Sequence, residues 1–368
     1  MYHFIDASSL NYRYRMEKYC RIFLVICVLG LVSCRENYKV KTVNLNGVKE
    51  TFLQSEEAKL SESPLFPKGC CIRDSFLIVF EPKLSDGFLL IYNEHTGELI
   101  KRYGTRGEGP SDFINPRFIF NANLLSSSEY LLIGDVDALY LLDVDSIVST
   151  NQYIHSLYFS LPEEVSLYNY VLAISDTCLI VNQTCDAQLT YYNLKSKHVN
   201  KRNFFEKRAN MRDVSDFCYA TQICDAYYTS SQNSIIIAYK NKKQIDIISM
   251  SGKLMKSIYF DNYLYNDDKM ILKNKSNVKF NADAIMYFSY VLPMEKYFYA
   301  LCWDDTRENM KNGRTKSKIY KFDWDGNLIE ILNLDRAISY FCIYENEKIY
   351  AIGLSSDDLD LKMYCYQI

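Results

Sequence analysis

A hairpin that recurs along the chain is the sequence feature that most constrains the fold. In each copy, an apolar strand with alternating side chains leads into a short polar turn and then into a second strand. The three clearest copies occupy residues 90–103, 245–258 and 319–332. A glycine stands in each turn, where a tight β-hairpin needs positive φ. Two looser copies without the glycine start at Leu139 and Leu189.

The spacing of these hairpins indicates a repeat architecture. Their starts lie roughly 50 to 75 residues apart, and a period near 50 built from hairpins is typical of propeller blades. Further strand-like runs lie between them, at residues 75–80, 130–133, 178–181, 234–239 and 297–302. A count of 32 Tyr and 20 Phe against 13 Gly also favours pleated structure. We therefore predict an all-β, six-bladed propeller of four-stranded blades. A pair of β-sandwiches is the alternative, which the long hairpin period disfavours.

The C-terminal unit of the repeat is incomplete. Its three strand-like runs are residues 339–344, 348–353 and 361–367, after which the chain ends. A strand from the N-terminal side would complete this blade, close the ring and remove the open sheet edges. Residues 38–45 alternate polar and apolar side chains, and we expect this run to be the closing strand.

The N-terminal region has the pattern of an export signal. From Met16, two basic residues precede an unbroken apolar stretch at residues 22–32, which Ser33 and Cys34 follow. The stretch is too short to span a bilayer, which takes about 20 residues, and its length fits the core of a secretory signal. An uncleaved anchor or a buried N-terminal helix is the alternative.

The end of this signal resembles the lipobox of bacterial lipoproteins. The residues are Leu31-Val32-Ser33-Cys34. The resemblance implies that Cys34 is diacylated and that the signal is cut just before it, which would anchor the chain in a membrane. We expect the outer membrane of a bacterial cell envelope, with a periplasmic position favoured over the cell surface.

These features divide the chain into four predicted segments. Residues 1–15 precede a complete signal and are interpreted as the product of an upstream start site. The signal peptide is 16–33, the tether with the possible closing strand is 34–65, and the propeller is 66–368.

A glycine-rich loop follows the first hairpin. It contains Gly104, Gly107, Gly109, Pro110, Asp112 and Phe113. A nucleotide-binding loop would have G-x-G-x-x-G spacing and a following helix, and this segment has neither. It resembles instead the G-x-x-G-x-G-P-x-[ED]-F turn of NHL-type propellers, and in particular of the TolB-like six-bladed propeller lipoproteins.

The resemblance implies structural roles for these residues. The glycines and Pro110 would allow a tight crossing between blades, Phe113 would fill the gap between them, and Asp112 would cap backbone N–H groups. Arg106 is the one candidate for a contact in the central channel, and pairing with Glu108 or Asp112 is its alternative. The motif occurs once in the chain, so no binding code repeated in every blade is carried over.

Residues suited to catalysis or metal binding are sparse. Asp135 and Asp137 are weak candidates for a Ca²⁺ site, and solvated strand-end carboxylates are the favoured interpretation, so we expect no metal and no cofactor. The three histidines of the body, His95, His155 and His198, are expected to be solvent-exposed or to cap turns. Zinc-type cysteine spacing is absent.

Nine cysteines follow the signal, and most lie in apolar stretches. Export to an oxidising compartment would permit disulfides. Cys178 with Cys185 and Cys218 with Cys224 could bridge neighbouring strands, and buried free thiols are the favoured alternative.

The overall charge excludes one class of partner. With 42 basic and 45 acidic side chains, the chain has a net charge of −3 and offers no reason to expect nucleic acid. We predict a lipid-anchored binding or scaffold module with a protein, peptide or glycan partner. The alternative is a metal-dependent lactonase, lyase or hydrolase with its site in the central channel, which would rest on fold analogy.

Overall fold

The computed structural model describes most of the chain after residue 38. The described residues are 39–109, 111–119, 130–136, 138–150, 155–160, 170–174, 177–181, 189–193, 196–202, 224–229, 234–240, 242–249, 253–260, 270–274, 277–355 and 360–368. Val40–Ile368 form one compact unit. Within these residues, none of the helices has the length and apolar character that a membrane crossing requires. The signal segment and Cys34 lie outside them.

In the described part of the chain, six sheets with four antiparallel strands each form the body of the protein, and two of these sheets carry one further edge strand from the N-terminal segment. Three short strands precede them: β1 (Lys39–Val43), β2 (Lys49–Leu53) and β3 (Glu56–Glu57). Blade 1 contains β4 (Gly69–Arg73), β5 (Phe76–Phe80), β6 (Asp86–Asn93) and β7 (Leu99–Thr105). Blade 2 contains β8 (Arg117–Ile119), β9 (Tyr130–Asp135), β10 (Ala138–Asp143) and β11 (Ser156–Ser160), and helix α1 (Val144–Ser149) connects β10 to β11.

Blades 3 and 4 have the same order of strands. Blade 3 contains β12 (Tyr170–Ile174), β13 (Thr177–Val181), β14 (Leu189–Asn193) and β15 (Val199–Arg202). Blade 4 contains β16 (Cys224–Thr229), β17 (Ser234–Tyr239), β18 (Gln244–Ser249) and β19 (Leu254–Phe260). A separate hairpin of β20 (Met270–Asn274) and β21 (Asn277–Phe280) follows blade 4.

The last two blades complete the repeat. Blade 5 contains β22 (Ile285–Pro293), β23 (Tyr297–Thr306), β24 (Lys318–Asp323) and β25 (Leu328–Leu334), and helix α2 (Arg307–Lys311) follows β23. Blade 6 contains β26 (Ile338–Tyr344), β27 (Lys348–Leu354) and β28 (Leu361–Gln367), with β3 as its fourth strand.

The sheets are arranged as blades of a propeller. The first strands of successive blades contact one another, from β8 through β12, β16, β22 and β26 to β4, so the first strand of each blade lies innermost. The second strands, such as β5 and β17, are apolar and almost entirely buried, as expected where neighbouring blades cover both faces of a sheet. The six-bladed propeller predicted from the sequence is confirmed.

An N-terminal strand closes the ring, but it is not the one predicted. In blade 6, β3 pairs with β28 through the partners Glu56–Cys365 and Glu57–Tyr364. The run expected to close the ring, residues 38–45, contributes β1 instead, which lies beside β19 at the outer edge of blade 4. That part of the expectation was wrong because the alternating pattern of β1 suits any exposed outer edge, and nothing in it selects blade 6.

The three N-terminal strands belong to one segment, Lys39–Glu62, which we call the N-terminal strap. After β1 on blade 4, β2 pairs in parallel with β25 of blade 5, and β3 then joins blade 6. Beyond β3, the Glu62 carbonyl accepts a hydrogen bond from the Tyr92 hydroxyl of blade 1 at 2.9 Å. The strap therefore crosses the outer edges of four blades.

Glu330 of β25 holds the middle of the strap. Its carboxylate forms an ion pair with Lys49 at 2.6 Å and accepts a hydrogen bond from the Thr51 hydroxyl at 2.7 Å. Partial burial alone would raise the pKa of Glu330, but these two hydrogen bonds outweigh it and leave the pKa below its usual value.

Blade 2 departs from the hairpin pattern at its third strand. The looser hairpin copy that starts at Leu139 was expected to continue into a second strand, but a helix begins at Val144. The Asp143 carboxylate accepts a hydrogen bond from the Ser146 backbone N–H at 3.0 Å and so caps helix α1. An aspartate followed by a serine three residues later is a helix N-cap signal that outweighs the strand pattern here.

Candidate functional site

The described residues of the glycine-rich loop and Asp135 lie at one face of the propeller. Because antiparallel strands reverse direction at each connection, the link between strands 2 and 3 of a blade and the crossing to the next blade lie at the same end. We call this end the loop face. In blades 1 and 2 its described residues include 65–68, 81–85, 106–109, 111–116 and 136.

Gly104, in β7, has a conformation and a neighbour that only glycine tolerates. Its φ is +87°, in the region that side chains rarely adopt. A Cβ at this position would overlap the ring of Phe88. The outermost strand of blade 1 thus passes directly over a buried aromatic ring as it leaves the blade.

The next two glycines make room for the Asp112 carboxylate. A Cβ at Gly107 or Gly109 would overlap that carboxylate, which accepts a hydrogen bond from the Gly109 N–H at 3.0 Å. The Asp112 N–H donates in return to the Gly109 carbonyl at 3.0 Å. Asp112 therefore caps backbone within its own turn. Pro110 lies outside the described residues.

Phe113 lies at the junction of blades 1 and 2 and is 1% exposed. Its ring centroid is 5.3 Å from that of Phe88 in blade 1. In blade 2, it is 5.4 Å from the ring of Tyr140 and 5.0 Å from that of His155. The three rings enclose Phe113, so its side chain belongs to the core shared by the two blades.

Arg106 lies on the exposed surface of the loop face. Its guanidinium donates a hydrogen bond to the Pro82 carbonyl at 2.8 Å, which ties the crossing loop to the link between β5 and β6. In the part of the chain that the structure describes, Arg106 forms no ion pair with Glu108 or Asp112. The channel contact proposed for it from the sequence stays a prediction.

Asp135 caps the chain where it enters blade 2. The carboxylate is buried and accepts hydrogen bonds from the backbone N–H groups of Ile114 at 2.9 Å and Asn115 at 2.5 Å. The favoured interpretation of Asp135 as a solvated carboxylate was therefore wrong, because the entering chain covers it and uses both of its oxygens. Asp137 lies outside the described residues.

The entry into blade 1 repeats this arrangement. Glu81, which is also buried, accepts hydrogen bonds from the backbone N–H groups of Leu65 and Phe66 at 3.1 and 3.0 Å. In both blades the acidic residue ends or follows the second strand, and a buried proline, Pro67 or Pro116, follows the capped residues. The two caps hold equivalent pieces of backbone in one fixed conformation.

Each cap presents large apolar side chains to solvent. Leu65 is 66% exposed and Ile114 is 58% exposed. Val136, in the turn after Asp135, is 51% exposed and has a φ of +44°, which is unusual for a β-branched residue. Phe66 is exposed as well, and the Lys83 ammonium lies 3.9 Å from its ring centroid.

Basic and apolar side chains therefore occur together on this face. We call the set the loop-face patch: Leu65, Phe66, Lys83, Arg106, Ile114 and Val136. Its two halves are joined by the Arg106–Pro82 hydrogen bond and by the backbone bridge between Arg106 and Phe113.

Comparison with known families identifies the architecture. The sequence model described as TolB-like 6-blade propeller-like matches residues 59–346. The chain belongs to this TolB-like family. No curated protein matches the sequence.

Solved structures similar to this TolB-like propeller include two from Bacteroides. A candidate exported protein of Bacteroides fragilis is 12% identical, with 90% of this chain and 100% of that chain covered and a TM-score of 0.50. A member of the duf4221 family from Bacteroides vulgatus is 9% identical, with 85% and 98% covered and a TM-score of 0.49. At these identities the likeness shows the fold alone.

The histidines of the TolB-like propeller lie in two different environments. His95 and His198 are exposed, as expected from the sequence. His155 is half-buried, because its ring packs against Phe113 and Tyr140, and this burial lowers its pKa. The expectation of an exposed or capping role was wrong for His155.

Among the described residues, no three His, Cys, Asp or Glu side chains are placed to hold a metal ion together. A buried carboxylate links two blades: Glu94 of blade 1 forms an ion pair with Lys348 of blade 6 at 2.6 Å and accepts a hydrogen bond from the Tyr350 hydroxyl at 3.0 Å.

Sequence analysis missed the two caps and the exposed side chains they hold. The available signal was an acidic residue directly after an apolar second strand, together with a proline shortly before the first strand of the same blade. Glu81 with Pro67 and Asp135 with Pro116 both fit it. The pattern occurs only twice here and is defined by strand positions, so it can be recognised only when those positions are known.

Proposed function

We propose that this chain is an exported, lipid-anchored propeller that binds a protein or peptide partner through its loop-face patch. The observation that carries the proposal is the repeated cap. In two successive blades a buried carboxylate fixes the backbone so that a large apolar side chain points into solvent. Exposed apolar side chains gathered on one face are typical of an interaction site.

The patch is organised before a partner arrives. Both caps hold their backbone by two hydrogen bonds, and Arg106 is held by Pro82. Val136 keeps a left-handed conformation that costs of order 1–3 kcal/mol, which the surrounding turn sustains. A rigid surface loses little conformational entropy on binding, and this raises affinity for a given contact area.

The chemistry of the patch indicates the kind of partner. Leu65, Ile114 and Val136 offer contact to apolar side chains, while Lys83 and Arg106 offer positive charge beside them. A peptide segment with apolar residues flanked by carboxylates complements both properties. We propose this class of segment as the ligand.

The lipid anchor is the second part of the proposal, and the sequence supports it. Cys34 ends a lipobox-like motif, and only residues 35–38 separate it from β1.

A site-specific photo-crosslinker tests the binding role. The reactive amino acid replaces Ile114 in cells that produce the full chain, and a matched control carries it at Glu345, an exposed turn residue at the opposite end of blade 6. We expect a discrete adduct from position 114 that is absent from position 345. In a second set of experiments the crosslinker is moved to position 65. The double variant I114D/V136D should then lose the adduct. The control I329D, which alters an exposed residue of β25, should keep it. Equal adducts from positions 114 and 345, or none, would contradict the proposed binding face.

Fatty-acid labelling tests the anchor separately. Cells grown with an alkyne fatty acid should label the wild-type chain and place it in the membrane fraction. Cys34→Ala should remove the label, and Cys27→Ala, which changes a cysteine inside the signal, should retain it. Labelling that persists in Cys34→Ala would show that the lipobox interpretation is wrong.

A further inference from the structure

The seam between blade 6 and blade 1 is where the ring closes. The two-residue strand β3 is the piece of N-terminal chain that pairs with β28. At the inner side of the seam, β26 of blade 6 contacts β4 of blade 1. These two strands come from opposite ends of the propeller sequence, so any bond between them would join the ring across its full length.

Two cysteines face each other across this seam. The Sγ atom of Cys342, in β26, lies 3.7 Å from the Sγ atom of Cys70, in β4. A disulfide holds its sulfur atoms about 2.05 Å apart, so each sulfur would need to move by roughly 0.8 Å. Small rotations of the two side chains supply a movement of that size.

The thiols at this seam are shielded from solvent. Cys70 and Cys342 are both buried, and the neighbouring Cys71 is as well. Burial raises the pKa of the Cys71 thiol to about 11 and holds that of Cys342 well above its usual value. Thiols of this kind react slowly in the folded state, so pairing would take place while the seam is still forming.

We propose that Cys70 and Cys342 form a disulfide that covalently closes the propeller ring. The inference rests on the exported location in the proposed function, because an oxidising compartment supplies the oxidant. That oxidant is a disulfide, either of a small molecule or of a thiol oxidoreductase. The thiolate of one cysteine attacks it, and a mixed disulfide forms as one thiol leaves. The second cysteine then attacks the mixed disulfide and releases the other thiol. Overall, two protein thiols lose two protons and two electrons, and the oxidant takes them up as two thiols.

The disulfide would stabilise the seam at which the first and last blades of the propeller meet. It would close a loop that contains nearly all of blades 1 to 5 and most of β26, and long loops gain the most from a cross-link in the chain-entropy description. It would also leave the outer edges of the blades unchanged, because both cysteines lie on innermost strands.

Peptide mapping under non-reducing conditions tests the bond directly. The full chain is produced in an exporting bacterium, its free thiols are blocked with an alkylating agent in denaturant, and the digest is analysed by mass spectrometry. In parallel, the purified full chain is reduced, unfolded and refolded with reduced and oxidised glutathione. We expect a peptide pair that links Cys70 to Cys342 in both samples, while Cys302, a buried cysteine of β23, is alkylated.

Thermal unfolding with and without a reductant supplies a second readout. Reduction should lower the Tm of the wild-type chain by an amount on the order of 5–10 °C, from typical disulfide stabilisation and a shift of about 2 °C per kcal/mol. Cys342→Ser should remove this difference, and the control Cys302→Ser should keep it. If Cys342→Ser does not fold, the mapping of the wild-type chain decides alone.

The outcomes separate this inference from the proposed function. Alkylation of both Cys70 and Cys342 in the refolded and the cell-derived chain would overturn the disulfide, as would a bond between Cys70 and Cys71. A linked pair in the refolded chain with free thiols in the cell-derived chain would contradict export and leave the pairing intact.

Discussion

Replacing Phe113 by alanine tests whether the junction of blades 1 and 2 is a shared core. The side chain is fully buried, and three aromatic rings from both blades surround it. Its removal leaves a cavity that neither blade can fill alone, because the backbone on either side is held by the hydrogen bonds of Asp112 and Asp135.

The expected loss follows from the size of the side chain and from its contacts. A buried Phe→Ala change lowers the free energy of unfolding by about 3–5 kcal/mol. Each aromatic pair adds about 0.5–1.5 kcal/mol beyond buried area. We expect a loss of about 4 kcal/mol, which at about 2 °C per kcal/mol lowers the Tm by about 8 °C.

Urea unfolding followed by tyrosine fluorescence and by circular dichroism provides the measurement. Ile114→Ala is the matched control, because it removes a neighbouring apolar side chain that is exposed, and it should change stability by no more than about 0.5 kcal/mol. Phe113→Leu, which refills part of the cavity, should lose less than Phe113→Ala. A loss below about 1 kcal/mol for Phe113→Ala would refute the shared core.

Three further changes test the same junction. Gly104→Ala should lower the free energy of unfolding by about 2–4 kcal/mol in urea, because a side chain there overlaps Phe88 and requires positive φ; unchanged stability would contradict the close approach. Asp135→Ala should lower it by about 1–3 kcal/mol, because two backbone N–H groups lose their acceptor, whereas Asp145→Ala, in the first turn of α1, should have a smaller effect. Burial lowers the pKa of His155 in the folded state below the ordinary value of 6.5. As the pH falls, His155 of the unfolded chain is therefore protonated before His155 of the folded chain. The stabilising contribution of the neutral imidazole is present above pH 6.5 and is lost as the pH falls towards the lowered pKa; His155→Gln should flatten the stability profile there, and an unchanged profile would exclude this role.

The blade repeat could be predicted because its signal is local. The third and fourth strands of blades 1, 4 and 5 are joined by tight turns, and Gly97 and Gly326 have positive φ in two of them. A glycine between two alternating strands can be recognised without knowledge of the rest of the chain. The second strands were found for a similar reason, since an unbroken apolar run between polar turns indicates a strand buried on both faces.

Apart from β26, the innermost strands were not predicted from the sequence, and the pairing of the N-terminal strap was not predicted either. Strand β8 has three residues, too few for a pattern, and β22 contains two irregularities that interrupt its alternation. The strap strands are mostly polar, and their partners lie far away in the sequence. Thr51 and Glu330, for example, are 279 residues apart. Such pairings depend on the assembled ring, and no local pattern encodes them.

The candidate site was predicted only in part, for the same physical reason. The turn residues Gly109 and Asp112 act within a few residues of each other, so a motif identifies them. Asp135 acts on backbone 20 and 21 residues earlier, and its role follows from the position of β9 beside the entering chain. Exposed apolar residues such as Ile114 are ordinary in a sequence and become informative only when a face collects several of them.

The N-terminal strap is synthesised long before the strands with which it pairs. Strands β1, β2 and β3 are made first, but their partners β19, β25 and β28 belong to the last three blades. Because synthesis proceeds at about 5–20 residues per second, the strand that pairs with β2 is completed roughly 15–55 s after β2 itself. Until the last three blades are present where the protein folds, the strap has unpaired edges. Arrival of the C-terminal blades is thus the event that allows the oldest part of the chain to fold.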